Sequence, residues 1–368
     1  MRIRHLVCTD NFAGVERYVT TTSIELARRG HAVDVFGGDA SAMRDALEGS
    51  TVTFVEAANP REALAATRRA PRPDVVHAHM TGSDLVAIAT RPLLRAPVVS
   101  TLHFAQERGH DLVSRALYSA IPHLVSSEVA ISEFVAGAVG RSPTIIPNGV
   151  PEPRGADAPA EPTRSRVVLV AQRLEREKAT EVAIGAFAAS GLAGKGWELQ
   201  VAGDGSERAR LEAQATRDGI DAATRFLGRV DDLAARMARA ALLIASAPAE
   251  PFGLSVVEAM AAGLPVIAAR GGAHRETIGS ATPETLFPPG DHGAAAALLR
   301  RFANDPGARA DLAARGRRRY DDAFTIRAHV DALESVYVRA TARRTTRAGD
   351  RPGSSAGGRP APFRSKRP

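Results

Sequence analysis

The chain has 368 residues, of which 44% are hydrophobic and 24% charged; the length predicts two domains of ~150 residues each, and the composition excludes a wholly disordered protein. Of the net charge of +7, residues 341–368 supply eight Lys or Arg against one Asp, which leaves 40 basic and 40 acidic residues in positions 1–340. The folded part is therefore neutral, which argues against a dedicated nucleic-acid-binding fold.

Cys8 is the single cysteine, so no disulfide can form within the chain and no second thiol is present for a zinc site. The first apolar run spans about three residues, against ~7–15 in a signal peptide. No uninterrupted apolar stretch approaches the ~20 residues of a transmembrane helix. We therefore expect a cytoplasmic protein, and peripheral contact with the inner face of an anionic membrane stays open.

Short apolar runs alternate with amphipathic segments rich in Ala, Arg and Leu, a pattern typical of βαβ units around a parallel sheet. In the first half the pattern predicts strands near 2–8, 31–36, 51–55, 73–78, 97–102, 124–131 and 143–146. It predicts helices between them, near 15–29, 41–48, 60–70, 82–95, 108–121 and 132–139. The following segment is dense in Pro, Gly and small polar residues, which predicts a linker over 151–165.

The same alternation restarts at RVVLVA (166–171) and continues to the end of the predicted fold. It predicts further strands near 197–203, 224–227, 241–246 and 264–269. It predicts helices from about 178 and near 206–217, 253–262, 291–303, 306–320 and 325–340. Residues 341–368, which contain GDRPGSSAGGRPAP, predict a disordered basic tail.

Together these elements predict an α/β protein with two Rossmann-like parallel-sheet domains that face each other across a cleft. The domains cover residues 1–150 and 166–324. Ligands of such sheets bind at the carboxyl ends of the strands, so a ligand is expected between the two domains.

Two loops could hold an anion. Gly14 opens a helix directly after the first strand, where backbone N–H groups are exposed, although a glycine at this point is more often a simple turn. Arg173 and Lys178 bracket the start of a helix, where two cations would repel each other unless an anion were bound. The alternative is that both are solvated surface charges.

The turn Gly203-Asp204-Gly205 at a strand end could lie under a nucleotide, and Ser206 could cap the next helix. The stretch 244–276 is more informative. Glu250 lies in a loop after a strand, and Glu258 follows on a helix otherwise made of apolar residues, where an unpaired carboxylate is costly to bury. Such a carboxylate can accept hydrogen bonds from a ribose diol, and the N–H groups of Phe252, Gly253 and Leu254 can bind a diphosphate.

These motifs occur in a fixed order that resembles the retaining glycosyltransferases of family 4, which have the GT-B fold and use nucleoside-diphosphate sugars. The matching segments are AGVERY (13–18), PDVVHAH (73–79), PVVSTLHF (97–104), VAISEFV (129–135), TIIPNGV (144–150), RLEREK (173–178), VAGDGSERARLE (201–212), RFLGRV (225–230) and EPFGLSVVEAMAAGLPVIA (250–268). The resemblance covers about residues 3 to 340.

The resemblance implies catalytic roles for four residues. Arg173 and Lys178 would neutralise the donor diphosphate, and Glu250 and His103 would face the transferred sugar from opposite domains. Without the resemblance, His103 is equally well explained as a buried histidine at a strand end. His77 and His79 are interpreted as structural.

The resemblance also implies a donor site. Glu258, the second glutamate of the family's E-x7-E motif, would bind the ribose, and Gly14 would approach the diphosphate from the first domain. Arg229 and Val230 would lie beside the base. The final helix, 325–340, would cross back to the first domain.

This chain departs from the family pattern at two positions. It has Ala13-Gly14 where Gly-Gly is common, and Ala179 where glycine follows the lysine. Each change adds one methyl group near the expected diphosphate, so a slightly shifted donor pose is expected. The polar groups used in the chemistry are unchanged.

The implied activity is transfer of a sugar from a nucleoside-diphosphate sugar to an acceptor hydroxyl with retention of configuration and without a metal or other cofactor. The expected acceptor is a glycan, a lipid-linked glycan or a small molecule, and nucleic acid is not an expected partner. One alternative is a nucleotide-sugar 2-epimerase of the same architecture. A binder of nucleic acid or anionic surfaces through the basic tail is the other, which the neutral folded part disfavours.

Overall fold

A computed structural model describes residues 1–106, 118–139, 142–153, 164–279 and 281–349 of the chain. Within these residues the chain forms two parallel sheets, of seven and six strands, each covered by helices. The predicted GT-B class, with two Rossmann-like domains, is confirmed.

The first sheet has the strand order β3-β2-β1-β4-β5-β6-β7. Its strands are β1 (Arg2–Leu6), β2 (Ala32–Phe36), β3 (Thr53–Val55), β4 (Val75–His79), β5 (Val98–Leu102), β6 (Ser127–Ala130) and β7 (Thr144–Ile145). The helices between them are α1 (Gly14–Arg28), α2 (Ala40–Leu47), α3 (Pro60–Arg69), α4 (Thr81–Leu94), α5 (Ile121–Leu124) and α6 (Glu133–Ala138). The central strands β4 and β5 are buried along their whole length, as expected for a sheet covered on both faces.

The second sheet has the order β10-β9-β8-β11-β12-β13. Its strands are β8 (Val167–Ala171), β9 (Glu198–Ala202), β10 (Thr224–Gly228), β11 (Leu242–Ala245), β12 (Val266–Ala269) and β13 (Leu286–Phe287). The helices are α7 (Thr180–Ser190), α8 (Arg208–Arg217), α9 (Leu233–Arg239), α10 (Leu254–Ala261), α11 (His274–Thr277), α12 (His292–Asn304) and α13 (Pro306–Ala323). Short 3-10 turns lie at Arg176–Lys178, Ala193–Lys195, Asp221–Ala223 and Pro283–Thr285.

Helix α14 (Ile326–Gly349) follows α13 and packs on the first domain. Its buried residues Val330, Leu333, Val336 and Tyr337 share one apolar cluster with side chains of α1 and β1. At the crossing, the Val150 N–H donates to Phe324 O (2.9 Å), and the Ile326 N–H donates to Val150 O (3.1 Å). The two segments that connect the domains are therefore tied to each other.

Two local predictions are wrong. The tail was expected to be disordered from residue 341, but α14 continues to Gly349. Because the packed part of α14 already supplies a helical nucleus, residues 341–349, which lack proline, can extend it at little cost. Ser206 does not cap α8, which begins at Arg208; its Oγ donates instead to Glu175 Oε2 at 2.6 Å.

Two other predictions fall mainly outside the described residues. The helix expected near 108–121 overlaps residues 107–117, and the expected linker 151–165 overlaps residues 154–163. The remainder of the expected tail, 350–368, also lies outside.

Candidate active site

Glu250 lies in the loop after β11, at the carboxyl edge of the second sheet, and the turn Pro251-Phe252-Gly253 leads into α10. Gly253 has φ +87°, and a Cβ at this position would lie 3.1 Å from His274 Cδ2. The turn therefore requires a glycine, both for its left-handed backbone and for the close approach of His274. As a result, the start of α10 follows directly after Glu250.

Lys178 and Glu250 form an ion pair, with 2.7 Å between Nζ and Oε2. The two side chains are only 16% and 17% exposed. Lys178 comes from the 3-10 turn after β8, so the pair joins the ends of two neighbouring strands. Two of the four predicted catalytic residues thus lie together, and they are largely shielded from solvent.

Arg173 occupies a different environment. Its Nη2 lies 2.8 Å from Glu177 Oε1, and both side chains are more than half exposed. Each of the two cations therefore already has a carboxylate partner, so repulsion between Arg173 and Lys178 does not by itself require a bound anion.

Glu258 lies on the second turn of α10, and its side chain is 18% exposed. Its Oε1 accepts a hydrogen bond from Arg17 Nη2 of the first domain, whereas its Oε2 is buried without a hydrogen-bond partner. Burial raises the pKa of the Glu258 carboxyl, although the Arg17 guanidinium opposes the shift. A buried acceptor without a partner is costly, and a hydroxyl donor would satisfy it.

The first turn of α1 faces α10 across the cleft. A Cβ at Gly14 would lie 3.8 Å from Leu254 Cδ1. Arg17, one turn further along α1, reaches Glu258. Gly14, Leu254 and Glu258 are therefore brought together, and Arg17 is a site residue that the sequence analysis missed. Arg17 could have been predicted from its position three residues after Gly14, because residues i and i+3 lie on the same face of a helix.

Gly203 and Phe252, two further residues predicted to bind the sugar nucleotide, are fixed by packing. Gly203 has φ +143°, and a Cβ there would lie 1.9 Å from Gln172 O. Any side chain at this position would therefore clash with the backbone at the end of β8. The Phe252 ring is buried edge-on against Phe324, with 5.8 Å between the ring centres. Arg229 is exposed and Val230 is half-buried just after β10.

His274 is a second residue that the sequence analysis missed. It is buried beside Gly253, and its Nδ1 lies 3.1 Å from Ala269 O. Burial lowers the pKa of His274, while the charge of Glu250 acts in the opposite direction. The ring therefore supports the turn that carries Glu250.

His103 is buried just after β5, and burial lowers its pKa to about 3. Its Nε2 lies 3.1 Å from His79 Nδ1, and His79 Nε2 lies 2.9 Å from His5 Nδ1. The Tyr18 ring packs edge-on against His103 at 4.9 Å. His103 is thus the end of a buried chain of imidazoles rather than an isolated side chain.

The ring nitrogens of His5, His77 and His79 lie close enough together to consider a metal site, within 4.8 Å of one another. However, His77 already uses both nitrogens, at 2.6 Å from Tyr337 Oη and 2.6 Å from Thr101 Oγ1. His5 and His79 bond to each other. The cluster is therefore a hydrogen-bonded core, in which His5 Nε2 is the one ring nitrogen without a partner among the described residues.

A cavity of about 730 Å³ lies between the domains, and Phe252, two residues after Glu250, lines it. Its wall includes Phe134 and Glu276, and the Glu276 carboxylate accepts hydrogen bonds from the N–H groups of Glu133 (2.7 Å) and Phe134 (2.6 Å). The Ser132 hydroxyl donates to Pro251 O at 2.7 Å. These contacts hold the first domain against the turn that leads into α10.

Comparison with known proteins decides the family. The family model of glycosyl transferases group 1 matches residues 154–319, and that of glycosyltransferase family 4 matches residues 12–154. The glycogen synthase of Mycobacterium tuberculosis is 30% identical over 292 residues, which is 74% of this chain and 70% of that protein. The chain belongs to the group 1 glycosyl transferases.

A further relative and a solved structure are also similar to this chain. The phosphatidyl-myo-inositol mannosyltransferase of Mycolicibacterium smegmatis is 29% identical, over 67% of this chain and 66% of its own. The structure of Anabaena HepE in complex with UDP and glucose has a TM-score of 0.79 at 21% identity, and covers 92% of this chain and 100% of its own. This glycosyltransferase therefore has the GT-B fold, and the epimerase alternative is not favoured.

Within the described residues, no helix of this glycosyltransferase is both long and apolar enough to span a bilayer.

Proposed function

We propose that the protein is a retaining glycosyltransferase of family 4 that transfers a hexosyl group from a nucleoside-diphosphate sugar to an acceptor hydroxyl without a metal. The observation that carries the proposal is Glu258, a largely shielded carboxylate with one buried and unpartnered oxygen, at the point where α1 of the first domain faces α10 of the second. A ribose hydroxyl is a donor that this oxygen could accept from.

The donor diphosphate would lie between Lys178 and the two glycine-started helix ends at Gly14 and Gly253. Backbone N–H groups at a helix start and a lysine ammonium both favour negative charge. Lys178 is held by Glu250, so a diphosphate would enter a site where the cation is already oriented. Arg173, as an exposed cation at the rim, would add attraction from further away.

Catalysis would be electrostatic. Negative charge grows on the leaving diphosphate as the glycosidic bond breaks, and Lys178 with the helix starts would stabilise that charge without a metal ion. Retention follows if the leaving phosphate takes the proton of the acceptor hydroxyl on the same face of the sugar. Glu250 as a transient nucleophile is the competing route, and its ion pair with Lys178 would lower its nucleophilicity.

The comparisons suggest the range of substrates. Among the relatives are a glycogen synthase, a 2-deoxystreptamine glucosyltransferase from Streptomyces kanamyceticus and a phosphatidyl-myo-inositol mannosyltransferase. We therefore propose a glycan, a lipid-linked glycan or a small molecule as acceptor. For a lipid acceptor the protein would contact an anionic membrane from the side.

A donor panel tests the proposal. UDP-, GDP-, ADP- and TDP-sugars are each added to wild type and to Glu258→Gln, and the melting temperature is measured. One donor is expected to stabilise wild type by ~2.7 kcal/mol at 100 times its Kd and the variant by less. The anomeric configuration of the product, read by NMR with EDTA present, then tests retention and metal independence. An inverted product, or activity abolished by EDTA, would contradict the mechanism.

A further inference from the structure

Three buried histidines form a continuous hydrogen-bonded chain that ends at His103, the residue that the family resemblance expects to face the transferred sugar. His5 Nδ1 lies 2.9 Å from His79 Nε2, and His79 Nδ1 lies 3.1 Å from His103 Nε2. The rings come from three neighbouring parts of the first sheet: β1, β4 and the end of β5. Each ring is more than nine-tenths buried.

All three rings are neutral at ordinary pH. Burial lowers the pKa of His5 and of His103 to about 3 and holds that of His79 well below its usual range. A neutral imidazole has one N–H donor and one acceptor nitrogen. The direction of one hydrogen bond in the chain therefore fixes the direction of the other, and only two proton arrangements are available.

The far end of the chain selects between them. His5 Nε2 is buried and has no hydrogen-bond partner. If the proton were on Nε2, a buried N–H donor would be left unsatisfied, and orphaned buried donors are rarer than under-satisfied acceptors. The proton of His5 therefore belongs on Nδ1, from where it donates to His79 Nε2.

The rest of the arrangement follows. His79 Nε2 is then an acceptor, so the proton of His79 is on Nδ1 and donates to His103 Nε2. Because His103 Nε2 accepts, the proton of His103 is on Nδ1, the nitrogen that His79 does not contact. In water the Nε2–H form of histidine is the more populated one, so this form would be set by the protein.

We propose that His79 is a positioning residue that fixes His103 in the Nδ1–H tautomer, so that His103 offers a permanent N–H donor to an oxygen of the transferred sugar. The part that concerns the sugar rests on the proposed function. An N–H that already points to the sugar needs no reorganisation when the sugar reaches its reacting position. Such preorganised hydrogen bonds stabilise a transition state more than those that must first reorient. The matching group on the substrate is a hydroxyl or ring oxygen that accepts.

A purely structural role for the histidines makes a different prediction. His77 is equally buried, lies on the same strand as His79 and also makes two hydrogen bonds, to Tyr337 and Thr101, but it is not bonded to His103. Loss of either ring would then lower the melting temperature and change nothing else. His77→Leu is therefore the matched control for His79→Leu.

The tautomer is measured first, without donor. In protein labelled with ¹⁵N-histidine, the His103 resonances are assigned by their loss in His103→Gln, and the ring nitrogen shifts report which nitrogen carries the proton. Wild type is expected to show Nδ1–H. His5→Leu should keep the Nδ1–H form, because His79 Nε2 then becomes the buried nitrogen without a partner and still favours being an acceptor. His79→Leu removes the hydrogen bond to His103, so His103 should change to the Nε2–H form. An Nε2–H wild type, or an unchanged signature in His79→Leu, would overturn the proposal.

Kinetics then test the consequence. His79→Leu is expected to lower kcat about five- to tenfold, the value of roughly one hydrogen bond, with donor KM changed less than about twofold. His77→Leu should lose a similar amount of melting temperature and keep kcat. Equal losses of kcat in both variants would overturn the role of His79. If wild type transfers no sugar, the proposed function fails, while the spectra still decide the tautomer.

Discussion

At the scale of single residues, Lys178 is the side chain whose removal should affect the reaction most directly. Lys178→Ala leaves the carboxylate of Glu250 without its cation and removes one positive charge from the expected position of the diphosphate. Losing a charge-assisted hydrogen bond costs roughly 1.5–3 kcal/mol, so kcat/KM should fall about 10- to 100-fold. Steady-state kinetics with the donor found in the panel measure this.

The control for Lys178 lies on the same 3-10 turn. Arg176 carries the same charge but is exposed, so Arg176→Ala should leave kcat/KM within about twofold of wild type, because exposed charges are screened. If kcat/KM falls equally in both variants, the loss reflects the total positive charge of the turn, and the predicted contact of Lys178 with the diphosphate is wrong.

Ala179 is held in an unfavourable backbone conformation. Its φ of +48° is in the left-handed region, which is strained for a residue with a Cβ and natural for glycine. Ala179→Gly should therefore raise the free energy of unfolding by about 0.5–1 kcal/mol. Denaturant titration measures it. The control is Ala189→Gly at an exposed position of α7, which should destabilise the protein by about 1 kcal/mol. A loss of stability in both variants would contradict the strain at Ala179.

Sequence reasoning named candidate site residues but not their partners. Glu258 could be named because a carboxylate in an apolar helix is unusual locally, and Glu250 and Lys178 could be named through the family resemblance. Their pairings could not, because Lys178 and Glu250 are 72 positions apart and Arg17 and Glu258 are 241 apart. Pairing across such separations depends on how the sheets are assembled, and local spacing carries no information on that.

At the scale of elements, α14 is joined to the first sheet by a polar contact inside the core. Tyr337 Oη lies 2.6 Å from His77 Nδ1, and both side chains are buried. Tyr337→Phe leaves the nitrogen without a partner, which should cost roughly 1–3 kcal/mol in the free energy of unfolding. Val338→Ala, next along the helix but exposed, should cost under about 0.5 kcal/mol. Equal losses from the two changes would argue against this contact.

Alternation of apolar runs predicted most of the described strands and helices to within a few residues, but it missed α9 (Leu233–Arg239), α11 (His274–Thr277) and β13 (Leu286–Phe287). The prediction also failed at residues 341–349, where composition suggested disorder and the structure continues α14. Charge and small residues disfavour a helix that must nucleate alone, but they do not prevent the extension of one already packed. Helix ends of this kind depend on the preceding element rather than on their own residues.

At the scale of the whole molecule, Glu276 links the two domains through a partly buried carboxylate. Glu276→Ala removes the acceptor of two N–H groups at the start of α6. We expect a loss of roughly 1–3 kcal/mol in unfolding free energy and a more open interdomain arrangement in small-angle X-ray scattering. Glu152 is the control: its carboxylate pairs with Arg317, but its side chain is 70% exposed. Glu152→Ala should therefore lower the free energy of unfolding by at most about 1 kcal/mol. Unchanged scattering and stability in Glu276→Ala would remove it from the interface.

The histidine core should make the whole protein unstable in mild acid. Burial lowers the pKa of His5 and His103 to about 3 and of His329 to about 4, and holds those of His77 and His79 well below their usual range. Burial also lowers the pKa of His274. Below the unfolded pKa of about 6.5, the unfolded chain therefore binds up to six more protons at these histidines than the folded one, so stability falls as the pH falls. Glu258 and Glu276, whose pKa values are raised by burial, oppose this with only two groups.

Each buried neutral histidine should therefore cost up to about 1.4 kcal/mol of stability per pH unit once the pH is below about 6. Denaturant midpoints measured from pH 7.5 to 5 should fall with a slope that approaches the sum over several histidines. His77→Asn removes one titrating ring from the core, so its slope should be shallower than that of wild type even though the variant is less stable at pH 7.5. A wild-type midpoint that stays constant between pH 7.5 and 5, or a His77→Asn slope equal to that of wild type, would show that these rings do take up protons inside the folded protein.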